Sequence, residues 1–165
     1  MDEVRKIVFI CTGNTCRSPM AEALFNHLNH VPGWIASSCG LAAFGGEPVS
    51  DNALKTLHDD YGIDFHNHRS RPVSPDCIDT AQLILTMTMA QKEHLRHVFP
   101  EAAERIMTLG ECAGQPETSV SDPFGRDLAA YRQTAAAIAD LVRKIIEILP
   151  KISAADERQN DNHSV

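Results

Sequence analysis

The 165-residue chain has no C-x2-C pair, and its five cysteines and eight histidines show no zinc-like spacing. A structural metal site therefore has no framework here. Basic residues are not in excess: 15 Lys and Arg stand against 22 Asp and Glu, a net charge of −7. That removes the broad positive footprint of a nucleic-acid binder, so any recognition of phosphate has to be local. No apolar run approaches the ~18 residues of a membrane helix, and no internal repeat is visible. The first six residues, Met1 to Lys6, are mostly charged, and only four apolar residues follow before Cys11. This predicts neither a signal peptide nor a membrane span. An odd cysteine count with no framework points to reduced thiols and a cytoplasmic protein.

The length suits one domain with a full core. Its most informative stretch is Ile7 to Ser18, IVFICTGNTCRS. Ile7-Val8-Phe9-Ile10 is an unbroken apolar run, as in a strand buried on both faces. Cys11 closes it, and five residues later comes Arg17, followed by Ser18, Pro19 and a helical pattern.

A strand-to-helix loop of this kind can curl so that successive N–H groups point inward. Gly13 and Asn14 tolerate the left-handed angles that such a nest requires. The helix that follows adds free N–H groups and a favourable dipole. Arg17 adds a planar fork of donors matched to two phosphate oxygens. Thr12, Gly13, Asn14, Thr15, Cys16, Arg17 and Ser18 then form the phosphate-binding loop, with Cys11 at its base. Positive surroundings favour the Cys11 thiolate, an activated nucleophile. Ser18 is placed to donate a hydrogen bond to that sulfur. A structural phosphate site is the plainer alternative.

The remaining periodicity alternates strands with helices. Met20, Ala21, Leu24, Phe25 and Leu28 mark a first helix, with Ser18 as N-cap and Pro19 at its first position. Trp34–Ser38 reads as a strand closed by Gly40, and Val49 to Tyr61 as a helix ended by Gly62. Leu83–Met87 and Arg105–Leu109 are further strands, with a short helix from Ala90 between them. This predicts a single α/β domain with a parallel sheet and helices on both faces. Ligands of such sheets bind beyond the strand carboxyl ends, where Cys11 lies. Residues 110–121 read as a loop, and Leu128 to Leu149 as a long helix stopped by Pro150. The expected division is a domain over 1–150 and a polar, disordered tail over 151–165.

C-x5-R-S after the first strand, with Asn14 and Cys16 inside it and Asp122-Pro123-Phe124 far downstream, resembles the low-molecular-weight protein-tyrosine phosphatases. The resemblance covers about Lys6 to Pro150. It implies a four-stranded sheet of order 2-1-3-4 and a cysteine-dependent phosphoprotein phosphatase working through a phosphocysteine. It also implies catalytic roles for Cys11, Arg17 and Asp122, the last as general acid. The loop at 41–50 becomes one wall of the cleft, with Phe44 and Phe124 beside the substrate. His68 resembles a histidine that buttresses the phosphate loop. Cys16 is implied as a redox partner of Cys11. Cys39 stands where the family carries alanine and reads as a small core filler. The loop dipoles and one guanidinium leave no need for a metal or cofactor, and phosphorylated proteins are the expected partners.

Thr15 sets the substrate expectation. Tyrosine-directed members usually carry an aliphatic residue there, and the bacterial protein-arginine phosphatases of the family carry threonine. The stretches CTGNTCRSPMAEAL and DPFG also resemble that branch, so phosphoarginine is favoured over phosphotyrosine. Arsenate reduction ranks low, because Cys77 and Cys112 are single and far apart in sequence. A non-catalytic phosphate-binding module is the remaining alternative.

Overall fold

The computed structural model describes residues 3–163. Its first strand, β1 (Arg5–Cys11), is buried from Ile7 onward, as an uninterrupted apolar run requires. The other strands are β2 (Trp34–Gly40), β3 (Leu83–Thr86) and β4 (Ile106–Thr108). All pair in parallel in the order β2-β1-β3-β4. Parallel neighbours need crossover connections, and the helices α1 (Arg17–Leu28), α2 (Asp51–Tyr61), α3 (Pro75–Asp79) and α4 (Met89–Val98) supply them. A 3₁₀ turn (Pro100–Arg105), a one-turn helix α5 (Leu109–Cys112) and the long α6 (Leu128–Asp161) complete the described chain.

The period of two along β1 divides the core. Ile7, Phe9 and Cys11 pack on the face covered by α1, α2 and α6. Val8 and Ile10 pack on the opposite face with Ile78, Leu95, Ala102 and Cys39. Helices thus cover both faces, as expected. Among the described residues, no helix is long and apolar enough to cross a membrane.

Local chemistry sets most boundaries. α2 ends at Gly62 in a left-handed conformation, its N–H bonded to His58 O and Leu57 O. Thr88 with Gln91, and Thr108 with Glu111, form reciprocal capping boxes at α4 and α5. The second box creates the helical turn at 109–112, which apolar periodicity does not reveal. α1 differs from expectation in its start. Cys16 is its N-cap, and Ser18 and Pro19 lie inside the helix. Ser18 is not free to cap, because its hydroxyl is committed to Cys11.

The predicted stop at Pro150 and the disordered tail over 151–165 are corrected. α6 runs through Pro150 to Asp161. Proline has no N–H to give the preceding turn, yet the apolar face continues across it. Leu149 is fully buried, and Ile152 packs on the same cluster. Trp34 Nε1 donates to Ser153 Oγ at 3.0 Å, and Ser153 donates to Leu149 O. Arg5 lies 3.8 Å from Asp156 and 3.6 Å from Glu157. The last two residues of the expected tail, 164 and 165, lie outside the described residues.

Candidate active site

The loop between β1 and α1 owes its shape to neighbours that take its carbonyls. Leu41 N–H donates to Cys11 O, Ala42 to Thr12 O and Ser50 to Thr15 O, at 2.9, 2.9 and 3.0 Å. Gly40 permits this approach: a Cβ there would stand 2.7 Å from Thr12 O and 3.0 Å from Asn14 N. With the carbonyls held outward, no N–H of Thr12, Gly13, Thr15 or Cys16 has a partner among the described residues. These amides, with the start of α1, are available to an anion. Within this loop Asn14 alone takes the left-handed conformation, at φ 56°. Gly13, which also tolerates it, does not adopt it.

Cys11 sits at the end of a chain of buried hydrogen bonds. Asn14 Nδ2 has two hydrogens, and they go to Ser18 Oγ at 2.8 Å and Ser38 Oγ at 2.9 Å. Ser38 in turn donates to Glu22 Oε1 at 2.9 Å. Ser18 Oγ, which accepts from Asn14, lies 2.9 Å from Cys11 Sγ, and its one O–H is free to point at that sulfur. Asn14 N–H adds a second donor to that sulfur at 3.3 Å. The sulfur thus accepts from the Asn14 N–H and has the Ser18 hydroxyl within hydrogen-bond reach.

Arg17 is 5% exposed, so its charge is almost fully buried. Its Nη1 donates to Val120 O at 3.0 Å, and its Nη2 lies 3.5 Å from Asp122 Oδ2. A buried guanidinium with one carbonyl and one half-exposed carboxylate is under-compensated, and a bound anion completes it. Asp122 is delivered by the loop after α5. Gly110 allows that loop to fold back, since a Cβ there would stand 2.6 Å from Gln115 O. Asp122 Oδ1 accepts the Phe124 N–H at 3.1 Å, which braces the Asp-Pro-Phe turn.

Cys11, Thr15, Arg17 and Asp122 line one cavity of about 310 Å³. Phe44 and Phe124 form its outer walls and are 77% and 73% exposed. Ser70 Oγ donates to Phe44 O, which anchors the first wall. Glu47 lines the same mouth, a carboxylate with no signal in the sequence pattern. Cys16 lines it as well, with Ser50 Oγ and Tyr131 Oη each 3.4 Å from its sulfur. Burial pushes the Tyr131 hydroxyl up to about 12, and its contact with Cys16 adds to the shift.

The profile of the family described as low molecular weight phosphotyrosine protein phosphatase matches residues 6–155. The chain belongs to this family. It is a cysteine-based protein phosphatase, a hydrolase. It is 35% identical over 144 residues to a protein-arginine-phosphatase of Geobacillus stearothermophilus, covering 87% of this chain and 95% of that one. It is 37% identical over 140 residues to the low molecular weight protein-tyrosine-phosphatase PtpB of Staphylococcus epidermidis, covering 85% and 96%. A solved structure of a YwlE arginine phosphatase mutant with a phosphorylated active site serine superposes with a TM-score of 0.84. It is 32% identical, covering 88% of this chain and 96% of that one.

Around the phosphatase loop lies a support that the sequence did not disclose. Asn14 Oδ1 accepts the Arg71 N–H at 3.0 Å, and Arg71 O accepts the Gly40 N–H at 2.9 Å. Gln91 Nε2 donates to Thr12 Oγ1 at 3.1 Å. Ser38, Glu22, Arg71 and Gln91 are ordinary polar residues in sequence, and only the packing of β2, α1, the segment before α3 and α4 around the loop gives them this work. His68, expected to buttress the loop, reaches it only at a remove. Its Nδ1 is 3.7 Å from Glu22 Oε2, and Glu22 holds Ser38, which holds Asn14. Its ring stacks on Phe65 at 5.1 Å, and its buried Nε2 has no hydrogen-bond partner among the described residues.

Proposed function

We propose that this phosphatase removes phosphate from arginine side chains of proteins, with Cys11 as nucleophile. The observation that carries the reading is the polar lining above the phosphate loop. Thr15, Asp122 and Glu47 share one cavity, so a hydroxyl and two carboxylates meet whatever leaves from the phosphorus. A guanidinium is planar, cationic and rich in donors, and it is matched by such a lining.

In this mechanism the Cys11 sulfur attacks phosphorus in line with the P–N bond. Arg17 and the loop amides hold the three equatorial oxygens as charge spreads onto them. Asp122 gives its proton to the departing guanidino nitrogen as that bond breaks. Water then attacks the phosphocysteine, Asp122 accepts its proton, and the Ser18 hydroxyl steadies the sulfur as it leaves. The phosphorylated active-site serine of the related mutant phosphatase supports a covalent intermediate of this kind. Cys16 is the proposed redox partner of Cys11 within the loop, and the proposed setting is the cytoplasm, where free thiols persist.

Phosphotyrosine is the second reading, favoured by the two exposed rings of Phe44 and Phe124 that would flank an aromatic leaving group. The test compares kcat/KM for a phosphoarginine and a phosphotyrosine peptide in the wild type and in Thr15→Ile. Phosphoarginine turnover is expected to fall about 10–100-fold in the variant while phosphotyrosine turnover holds or rises. Equal loss on both peptides, or a wild type that prefers phosphotyrosine, overturns the arginine assignment.

A further inference from the structure

Cys39 and Cys77 are 38 positions apart in sequence, yet their sulfurs are 3.2 Å apart. Cys39, near the end of β2, is buried among Val8, Ile10 and Ile84 on the sheet face away from Cys11. Cys77 lies in α3 and is partly exposed. It borders a separate cavity of about 250 Å³ shared with Lys6, Ser37, Arg71 and Asp76. Neither sulfur touches the phosphate loop.

We propose that Cys39 and Cys77 are a second redox-active thiol pair that closes to a disulfide under peroxide and staples β2 to α3. The separation needs only a small inward movement to reach the ~2.05 Å of an S–S bond. The two thiols are also unlike each other. Cys39 and the Ser74 N–H, at 3.3 Å, both bond to the Cys77 sulfur. The hydrogen bond from Cys39 holds the Cys77 thiol down at about 6, whereas Cys39 itself is pushed up. Cys112, buried and away from this pair, is pushed up to about 12 by desolvation alone. Cys77 is the attacking sulfur because it is the partly exposed one that peroxide can reach, and the buried Cys39 is the resolving one.

The chemistry balances with hydrogen peroxide as the oxidant. Cys77 thiolate attacks one peroxide oxygen, the O–O bond breaks, and hydroxide leaves to give the sulfenic acid. Cys39 sulfur then attacks Cys77 sulfur. The S–O bond breaks, and the hydroxide departs with the Cys39 proton as water. Two electrons pass from the sulfur pair to one peroxide, with no use of Cys11.

The link would brace the segments that support the loop. Gly40, next to Cys39, bonds through its N–H to Arg71 O and through its carbonyl to Val73 N–H. Arg71 N–H bonds to Asn14 Oδ1. The disulfide therefore joins the two strips of chain that grip Asn14, and it is expected to stabilise the fold.

The test treats the full chain with hydrogen peroxide under native conditions, in the wild type and in a Cys11→Ser/Cys16→Ser double variant. Digestion without reduction is expected to yield joined Cys39 and Cys77 peptides in both proteins. Dithiothreitol should separate them. Cys39→Ser, which keeps a hydroxyl donor beside the Cys77 sulfur, should abolish the joined peptide and leave Cys77 sulfenic acid, trapped by dimedone. The oxidised double variant should melt higher than the reduced one by about 5–10 °C. Free Cys39 after full oxidation of Cys77, a link formed only in denaturant, or a lower melting point on oxidation overturns the proposal.

Discussion

Asn14 shows how much one residue can hold. It occupies a left-handed conformation and uses both side-chain atoms on three partners, Ser18, Ser38 and the Arg71 N–H. Replacing it with alanine leaves buried polar groups without partners and keeps the backbone strain. Asn14→Ala is expected to cost about 2–4 kcal/mol in urea unfolding and to lower kcat/KM at least about 10-fold. Asn14→Gly relieves the backbone alone, so it should recover about 1 kcal/mol of stability while turnover stays low. If the two variants unfold at the same midpoint, the left-handed angle is not the constraint described. At this scale the sequence was legible wherever chemistry is dense: Cys11, Arg17 and Ser18 meet in one loop as their types and spacing suggested, and Asp122, which only the family resemblance placed beside them, lines the same cavity. Ser38 and Arg71 were not legible, because a lone serine and a lone arginine carry no pattern, and only pairing brings them to Asn14.

Among the elements, α6 is where physical expectation and outcome diverge. Proline inside a helical pattern predicts a stop, since it costs a hydrogen bond and crowds the preceding turn. The helix persists because Leu149 and Ile152 on either side still face the core and Ser153 bonds to Trp34. Pro150→Ala restores the missing N–H on an exposed position and should raise stability by about 1–3 kcal/mol, measured by urea unfolding. An unchanged or lower stability means that the helix does not run through this point in solution. The other elements were easier to read. An apolar run gave β1, periodicity and Gly62 gave α2, and alternation gave the parallel sheet. Strand order came from the family resemblance. The one-turn helices at 75–79 and 109–112 depend on capping boxes too short to leave a periodic trace.

For the molecule as a whole, the sheet separates two sulfur chemistries. The phosphate loop opens beyond the carboxyl end of β1, and the Cys39–Cys77 pair lies across the sheet with its own cavity. The surface carboxylates set the response to acid. His58 and Lys55 hold Asp59 below the ordinary carboxyl range, Arg132 does so for Asp60, and His66 for Asp64. The Thr108 N–H, followed by Lys92, does the same for Glu111. A carboxyl lowered on folding stabilises above its unfolded value and loses that contribution as pH falls through the folded one. The urea midpoint should therefore hold near neutrality and fall progressively below about pH 4. A midpoint that rises on acidification contradicts these pairings.

The loop, its acceptor sulfur and the acid above it make one central claim, that phosphate passes through Cys11. The most direct measurement is rapid quenching of Asp122→Asn during turnover of p-nitrophenyl phosphate, whose leaving group departs without a proton from Asp122, followed by peptide mapping. Slowed hydrolysis of the intermediate should let phosphate accumulate on the peptide bearing Cys11, and Cys11→Ser should show no turnover. Phosphate on another residue, or steady turnover by Cys11→Ser, would contradict the account.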